Sequence, residues 1–167
     1  LGKNKIRVEQ KRLGAGAAQS WIVPIVLKYS DGTAPRTQTL LLDQPKVELE
    51  LPVKHVVYVH PNADERGYYR WLVGADDWRA LLDRAPHDLS TRERLGLLTN
   101  GSALFRLGQL DGVALLRAME RLTDDSDLRV LQRTSNAILA LRTFFKGTRA
   151  EAPYAAFGKR LHGKMLA

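Results

Sequence analysis

Two hydrophobic periods divide the chain. Up to about residue 74, apolar residues recur at every second position. In "KIRVEQ" Ile6 and Val8 alternate with Arg7 and Glu9; in "KVELEL" Val47, Leu49 and Leu51 oppose Glu48 and Glu50. A pleated strand sends successive side chains to opposite faces, so this spacing predicts half-buried strands. "WIVPIVLKY" is apolar at both parities, as a strand covered on both faces would be, and Pro24 within it points to an edge or a bulge. "RTQTLLL", "KHVVYVH" and "GYYRWLV" bring the total to about six strands. Turn residues punctuate them: Gly14 and Gly16, Ser30-Asp31-Gly32, Asp43-Gln44-Pro45, Pro52, and Pro61-Asn62. Short strands with no helices between them predict a small antiparallel β-sandwich over residues 1–74.

Beyond Gly74 the period lengthens to that of helices. Asp76 or Asp77 is placed to cap "WRALLDR", which Pro86 is expected to end. Ser90-Thr91-Arg92-Glu93 has the spacing of a capping box and opens a helix through Leu107, closed by Gly108. Asp111 starts the next, with Val113, Leu116 and Leu122 on its apolar side. Asp125 or Ser126 starts a fourth, running to about Phe145 through Leu128, Leu131, Ile138 and Leu141. After Gly147 and Pro153 a last helix aligns Tyr154, Phe157, Leu161 and Met165 opposite Lys159, Arg160 and Lys164. Helix, short loop, helix, repeated over 75–167, predicts antiparallel helical repeats, the start of an αα superhelix. The chain ends just after that last apolar stripe, so self-association or fraying of this end is expected.

Composition narrows the field. The chain has 167 residues, 44% hydrophobic and 26% charged, which suits one medium domain or two small ones with a real core. It contains no cysteine, which excludes disulfides and thiolate metal sites and fits a reducing compartment, the cytoplasm. No apolar run approaches the roughly 18 residues of a membrane span, so no membrane partner is expected. "LGKNKIRVEQ" is neither a signal peptide nor a methionine start, and reads as the interior of something longer. The net charge is +8. Much of it lies after Leu141, where Arg142, Lys146, Arg149, Lys159, Arg160 and Lys164 face only Glu151. A solvated helix face accounts for that as well as a phosphate track does, so nucleic acid is disfavoured as a partner.

Candidate chemistry is sparse. Arg66-Gly67-Tyr68-Tyr69-Arg70-Trp71 shares a basic residue, a glycine and alternating aromatics with an RNA-binding strand. In such a strand Tyr69 and Trp71 share one face, and Tyr68, Arg70 and Leu72 the other. The RNA module needs a helix between its first two strands, and none is predicted here, so core packing is the simpler role. Gly14-Ala15-Gly16 precedes a strand rather than a helix, and so reads as a hairpin loop, not a phosphate loop. His55 and His60 fall on opposite faces of one strand, His87 in a loop and His162 on a basic helix face; no H-E-x-x-H occurs. The Asn100-Gly101-Ser102 sequon falls on a helix and reads as incidental. No Ser/His/Asp set or close carboxylate pair is present, so no catalytic, cofactor-binding or metal-binding residue is assigned.

Four stretches, taken in order, resemble one family, the zinc aminopeptidases that include aminopeptidase N and puromycin-sensitive aminopeptidase. "VEQKRLGAGAAQSWIVPIVLKY" resembles the "Q-x-R-F … W-x-I-P" hairpin of that family's sandwich domain. "VHPNADERGYYRWLVGADDWRALL" resembles its "N-x-x-x-x-G-Y-Y-R-V … W-x-x-L" junction, and "LSTRERLGLLTNGSALFRLGQL" the opening of its helical domain. "LTDDSDLRVL" resembles the acidic segment and helix start that follow. The resemblance implies that Tyr68, Tyr69 and Arg70 lie on a strand closing the sandwich. It also implies that zinc, held by an H-E-x-x-H helix, and the amine-binding "G-A-M-E-N" strand belong to a catalytic domain upstream. Arg117 to Arg121, "RAMER", mimics that second motif but is helical by periodicity and receives no role. The implied function is a non-catalytic C-terminal fragment, a scaffold and cover of the peptide-binding cleft, whose partners are the parent's own catalytic domain and its peptide substrate. A free-standing helical-repeat binding module, or a basic nucleic-acid-binding adaptor, is the alternative. Trp71-Leu72-Val73-Gly74 and Thr99-Asn100-Gly101-Ser102 depart from the family pattern.

Overall fold

A computed structural model describes residues 4–13, 16–17 and 19–166. The chain divides into two compact units, Leu1–Trp71 and Leu72–Ala167.

The first unit holds β1 (Lys5–Glu9), β2 (Val23–Ser30), β3 (Arg36–Leu42), β4 (Lys46–Glu50) and β5 (Tyr58–His60). β1 and β4 form a two-stranded antiparallel sheet, and β2 is the centre of a three-stranded one in the order β3-β2-β5. The register sets Ile6 against Leu49 and Val8 against Val47 on one face, with Arg7 against Glu48 on the other. Arg7 donates two hydrogen bonds to one oxygen of Glu48, at 2.8 and 3.1 Å. The four apolar side chains pack on Ile25, Leu27 and Leu42 of the second sheet, with Val23, Leu40, Val59 and Tyr69 around them. Two sheets thus share one core. Gln10 clamps the ends: its side chain donates to the carbonyls of Trp21 and Gln44 and accepts from the Trp21 N–H at 2.7 Å. The hairpin expected at Gly14-Ala15-Gly16 falls largely on Gly14 and Ala15, outside the described residues.

Pro24 sits where its missing N–H does least harm. β5 pairs with β2 only at Lys28–Ser30, so at Pro24 the strand has β3 alone as a neighbour. The sixth strand expected over 67–73 does not form; the segment has no ladder partner. It keeps the alternation of a strand all the same: Tyr69 and Trp71 turn inward, while Tyr68 and Arg70 are exposed. The reason lies in Tyr69. Its hydroxyl donates to the Pro61 carbonyl at 2.8 Å, and a backbone hydrogen bond links the same phenol to Val26 on β2. A side chain thereby takes the place on that edge that a sixth backbone would have filled. Gly67 is required beneath it, since a Cβ there would stand 2.0 Å from the Tyr69 ring.

The second unit holds α1 (Ala75–Asp88), α2 (Thr91–Arg106), α3 (Gly112–Arg121), α4 (Leu128–Phe145) and α5 (Glu151–Met165). Ser90 and Glu93 form the expected capping box: Glu93 N–H donates to Ser90 Oγ at 3.3 Å, and Ser90 N–H to Glu93 Oε2 at 2.7 Å. Gly108 ends α2 with φ +67°, its N–H bonding the Phe105 carbonyl and that of Gln109 the Leu104 carbonyl. Asp111 caps α3 through the Val113 N–H.

Other boundaries differ from expectation. Gly74, not Asp76 or Asp77, is the N-cap of α1; the two acids lie inside the first turn, where they meet the positive end of the helix dipole. Pro86 does not end α1 but sits in its last turn, and His87 is therefore helical. Proline deletes only its own bond to the preceding turn, and two more residues fit before Leu89 turns extended. α4 is capped by Asp127 rather than Asp125 or Ser126, because Asp125 is drawn into an ion pair with Arg94. The inward face of α3 is Leu115, Ala118 and Met119, followed by Leu122; Val113 is exposed, as is Leu128 at the start of α4. The stripe on α5 is not left bare. Tyr154 and Leu161 are buried and Phe157 and Met165 half-buried; Tyr154 stacks on Phe145 at 4.3 Å and donates to the Ile138 carbonyl.

Contacts fix the helix directions. Trp78 with Ala114 and Asp83 with Arg121 make α1 and α3 parallel, and Glu120 with Arg160 and Asp124 with Lys164 do the same for α3 and α5. Thr91 with Asp127 and Thr99 with Arg133 make α2 and α4 parallel to each other. Successive helices reverse, and alternate ones align in two layers, the geometry of an αα superhelix.

Candidate functional site

The helical unit carries a groove of about 580 Å³ along α1 and α3. Trp78, Leu82 and Pro86 come from α1, Ala114 and Arg117 from α3. The Trp78 indole N–H donates to the Ala114 carbonyl at 3.2 Å, which fixes the spacing of the two helices. The groove's charges are largely spent within the unit: Arg121 lies 3.8 Å from Asp83, Lys164 3.5 Å from Asp124, and Glu120 2.7 Å from Arg160. Among the described residues, Arg79 and Arg121 of the lining arginines have ion-pair partners and Arg117 has none. Such a groove can receive an extended chain by shape and by polar contacts. It brings no nucleophile to a base.

At one end lies a buried polar cluster that sequence patterning did not single out. Arg94 on α2 grips Asp125 at 2.6 Å through Nε and 3.1 Å through Nη2, and donates to the Leu89 carbonyl as well. Asp125 also accepts the Asp127 N–H, so one carboxylate organises the turn into α4. Asp127 in turn accepts from Arg129 and from Thr91 Oγ1; the Arg129 guanidinium, chiefly, holds its carboxyl well below the usual range. The only sequence signal for this was the adjacent acidic run in "LTDDSDLRVL".

The histidines are dispersed. His60 is fully buried, its Nδ1 accepting the Asn62 N–H and its Nε2 3.6 Å from Glu65 Oε1, with Trp71 edge-on at 5.1 Å. Asp64 and Glu65 take left-handed φ of 56° and 52°, and Asn62 pins the loop through both backbone groups of Gly67. His55 precedes β5 and is exposed, as is His87. His162 is half-buried, with Nε2 2.9 Å from Ser135 Oγ; no carboxylate orients that imidazole among the described residues, so the pair lacks the third member of an acyl-transfer site. Among the described residues no group of three or more His, Cys, Asp or Glu could hold a metal ion, and no helix is long and apolar enough to cross a membrane. "RAMER" is helical, on α3, with Met119 buried and Glu120 paired to Arg160. Asn100 of the sequon is buried inside α2, out of reach of a glycosyl transferase in the folded state.

Among the described residues, two small antiparallel sheets are followed by antiparallel helices with capped ends and paired charges. The profile of the ERAP1-like C-terminal domain matches residues 58–167. The chain belongs to this family. It is also similar to the alanine/arginine aminopeptidase of Saccharomyces cerevisiae, with 27% identity over 146 residues. That alignment covers 84% of this chain and 17% of the yeast protein, so the chain spans about a sixth of its relative's length. Together the two matches place it in the C-terminal region of the M1 aminopeptidase family. Within this ERAP1-like domain the family-like residues carry structural tasks: Ser90 and Glu93 cap α2, Arg94 anchors the α3–α4 turn, and Trp78 spaces α1 from α3.

Proposed function

We propose that the chain is a non-catalytic part of a zinc-dependent aminopeptidase, serving as scaffold and as cover of the peptide-binding cleft. The family membership of residues 58–167 is the observation that carries this reading. The groove along α1 and α3 supports it, because it offers an apolar floor and paired rim charges without reactive groups, as a cleft wall should. The parent would remove N-terminal residues from peptides, with zinc held by its own catalytic portion. There the metal would activate water for attack on the peptide carbonyl. The test compares two proteins. The full-length product of the gene should hydrolyse aminoacyl-naphthylamides and lose that activity to a chelator, whereas the 167-residue chain should do neither. Hydrolysis by the chain itself, or an inert full-length protein without an H-E-x-x-H helix, would defeat the reading. The basic-adaptor alternative is weakened by the last helix, where Arg160 and Lys164 are committed to Glu120 and Asp124.

A further inference from the structure

The two sheets protect their edges unequally. A bare strand edge can pair with another strand it meets, and folded proteins guard against this with short edges, charges, proline or a covering segment. β5 is three residues long, and beyond it the Tyr69 phenol covers Val26. β1 and β4 are five residues each, with Lys5, Arg7, Glu9, Lys46, Glu48 and Glu50 along them. β3 has none of these guards. It is the terminal strand of its sheet, runs seven residues in unbroken register, and contains neither proline nor lysine; Arg36 at its first position is its one charge. Thr37 and Thr39 are exposed, and Leu41 is 55% exposed.

Register settles which groups β3 turns outward. In an antiparallel pair, facing residues alternate between those that bond each other and those whose N–H and C=O groups point apart. Ser30 accepts the Val57 N–H, and Val26 bonds the Tyr69 phenol, so the even-numbered residues of β2 turn away from β3. Their opposites on β3 are Thr37 across from Lys28, Thr39 across from Val26, and Leu41 across from Pro24. These three therefore aim their N–H and C=O groups out of the sheet. Among the described residues no backbone group outside the sheet meets them, and Gln38 Nε2 reaches the Thr39 carbonyl at 3.3 Å.

We infer that this edge pairs with β3 of a second copy of the chain, antiparallel, about a two-fold axis through Thr39. Self-complementarity selects both that occupant and that register. Thr39 faces the partner's Thr39 and Thr37 faces the partner's Leu41, so each outward N–H meets an outward C=O. Arg36, 3.5 Å from Asp31 in its own chain, comes beside the partner's Asp43, and Asp43 is exposed with no ion pair among the described residues. The two Arg36 side chains lie at opposite ends of the joint, so no like charges face each other. The product is a continuous sheet in the order β5-β2-β3-β3-β2-β5. The contact is smaller than that of a permanent dimer, so the association depends on concentration.

Sedimentation equilibrium of the 167-residue chain across a concentration series should show its mass rise from one copy to two. Over the same series the amides of Thr37, Thr39 and Leu41 should exchange about tenfold more slowly at the concentrated end, while those of Gln38 and Leu40 stay unchanged. Thr39→Lys and Thr39→Glu each set like charges face to face on the axis and should weaken pairing about tenfold or more. Mixed in equal amounts the two variants should pair again, opposite charges now facing, and the circular dichroism of each should match that of the unsubstituted chain. A single-copy mass throughout would overturn the inference. So would a dimer indifferent to Thr39→Lys, or a mixture no more associated than its folded components. Slow exchange of the three amides where only one copy sediments would overturn it too, since a segment of the same chain would then occupy the edge.

Discussion

Arg94 holds three oxygens at once, the Leu89 carbonyl and both oxygens of Asp125, in a place almost closed to water. Removing one partner of a buried pair strands the other charge, which typically costs about 3–5 kcal/mol. Arg94→Met is therefore expected to lower the unfolding free energy by about that much in urea titration. A loss below about 1 kcal/mol would mean that Asp125 finds water once released. The tyrosines give a second reading at this scale. Burial pushes both Tyr69 and Tyr154 from 10.0 up to about 12. The folded chain keeps phenolic protons that the unfolded chain loses, so this stability is complete below pH 10 and fades as pH rises toward 12. An alkaline titration of the melting temperature should show the fall begin near pH 10, and Tyr154→Phe should shrink it.

At the scale of elements, the ends of helices carry the most testable statements. Ser90→Ala breaks the reciprocal cap of α2 and is expected to cost about 0.5–2 kcal/mol, read by the same urea titration. Asp127 does comparable work for α4, with its carboxyl depressed by Arg129 and Thr91. A depressed carboxyl contributes stability above its unfolded value of 3.8 and loses it as pH falls through the lower folded value. Asp127→Asn should accordingly flatten the acid limb of the stability profile below about pH 4, and an unchanged limb would mean another carboxylate dominates it. These two caps also show what was readable from sequence. The Ser90–Glu93 spacing is a local rule and was plain. Asp127 was not, because three acids in four residues compete for one cap, and Arg94, some thirty positions away, decides which is left over. The same holds for "GYYRWLV": its alternation was legible, but a strand needs a neighbour, and that depends on how far β5 runs along β2. Gln10 and Trp21 fell inside a recognisable motif, yet only the folded chain shows that they hydrogen-bond each other.

The molecule consists of two compact units, and the helical one contains the means to report on itself. Trp78 is its single tryptophan, buried against Gly101 and bonded to the Ala114 carbonyl, so it senses the junction of α1, α2 and α3 at once. Leu81, Leu97, Leu98, Leu115, Met119, Leu122 and Leu161 are fully buried within the same unit. Each such side chain contributes roughly 1.5–3 kcal/mol relative to exposure, which offsets much of the entropy lost in ordering the helices. Residues 72–167 expressed alone are therefore expected to fold. Far-ultraviolet circular dichroism should show the helices retained, and Trp78 emission should stay at the short wavelength of a buried indole, moving red in one step with urea. Red-shifted emission before any denaturant, with helicity intact, would show helices formed but not packed, and that the α1–α3 contact depends on chain outside this unit.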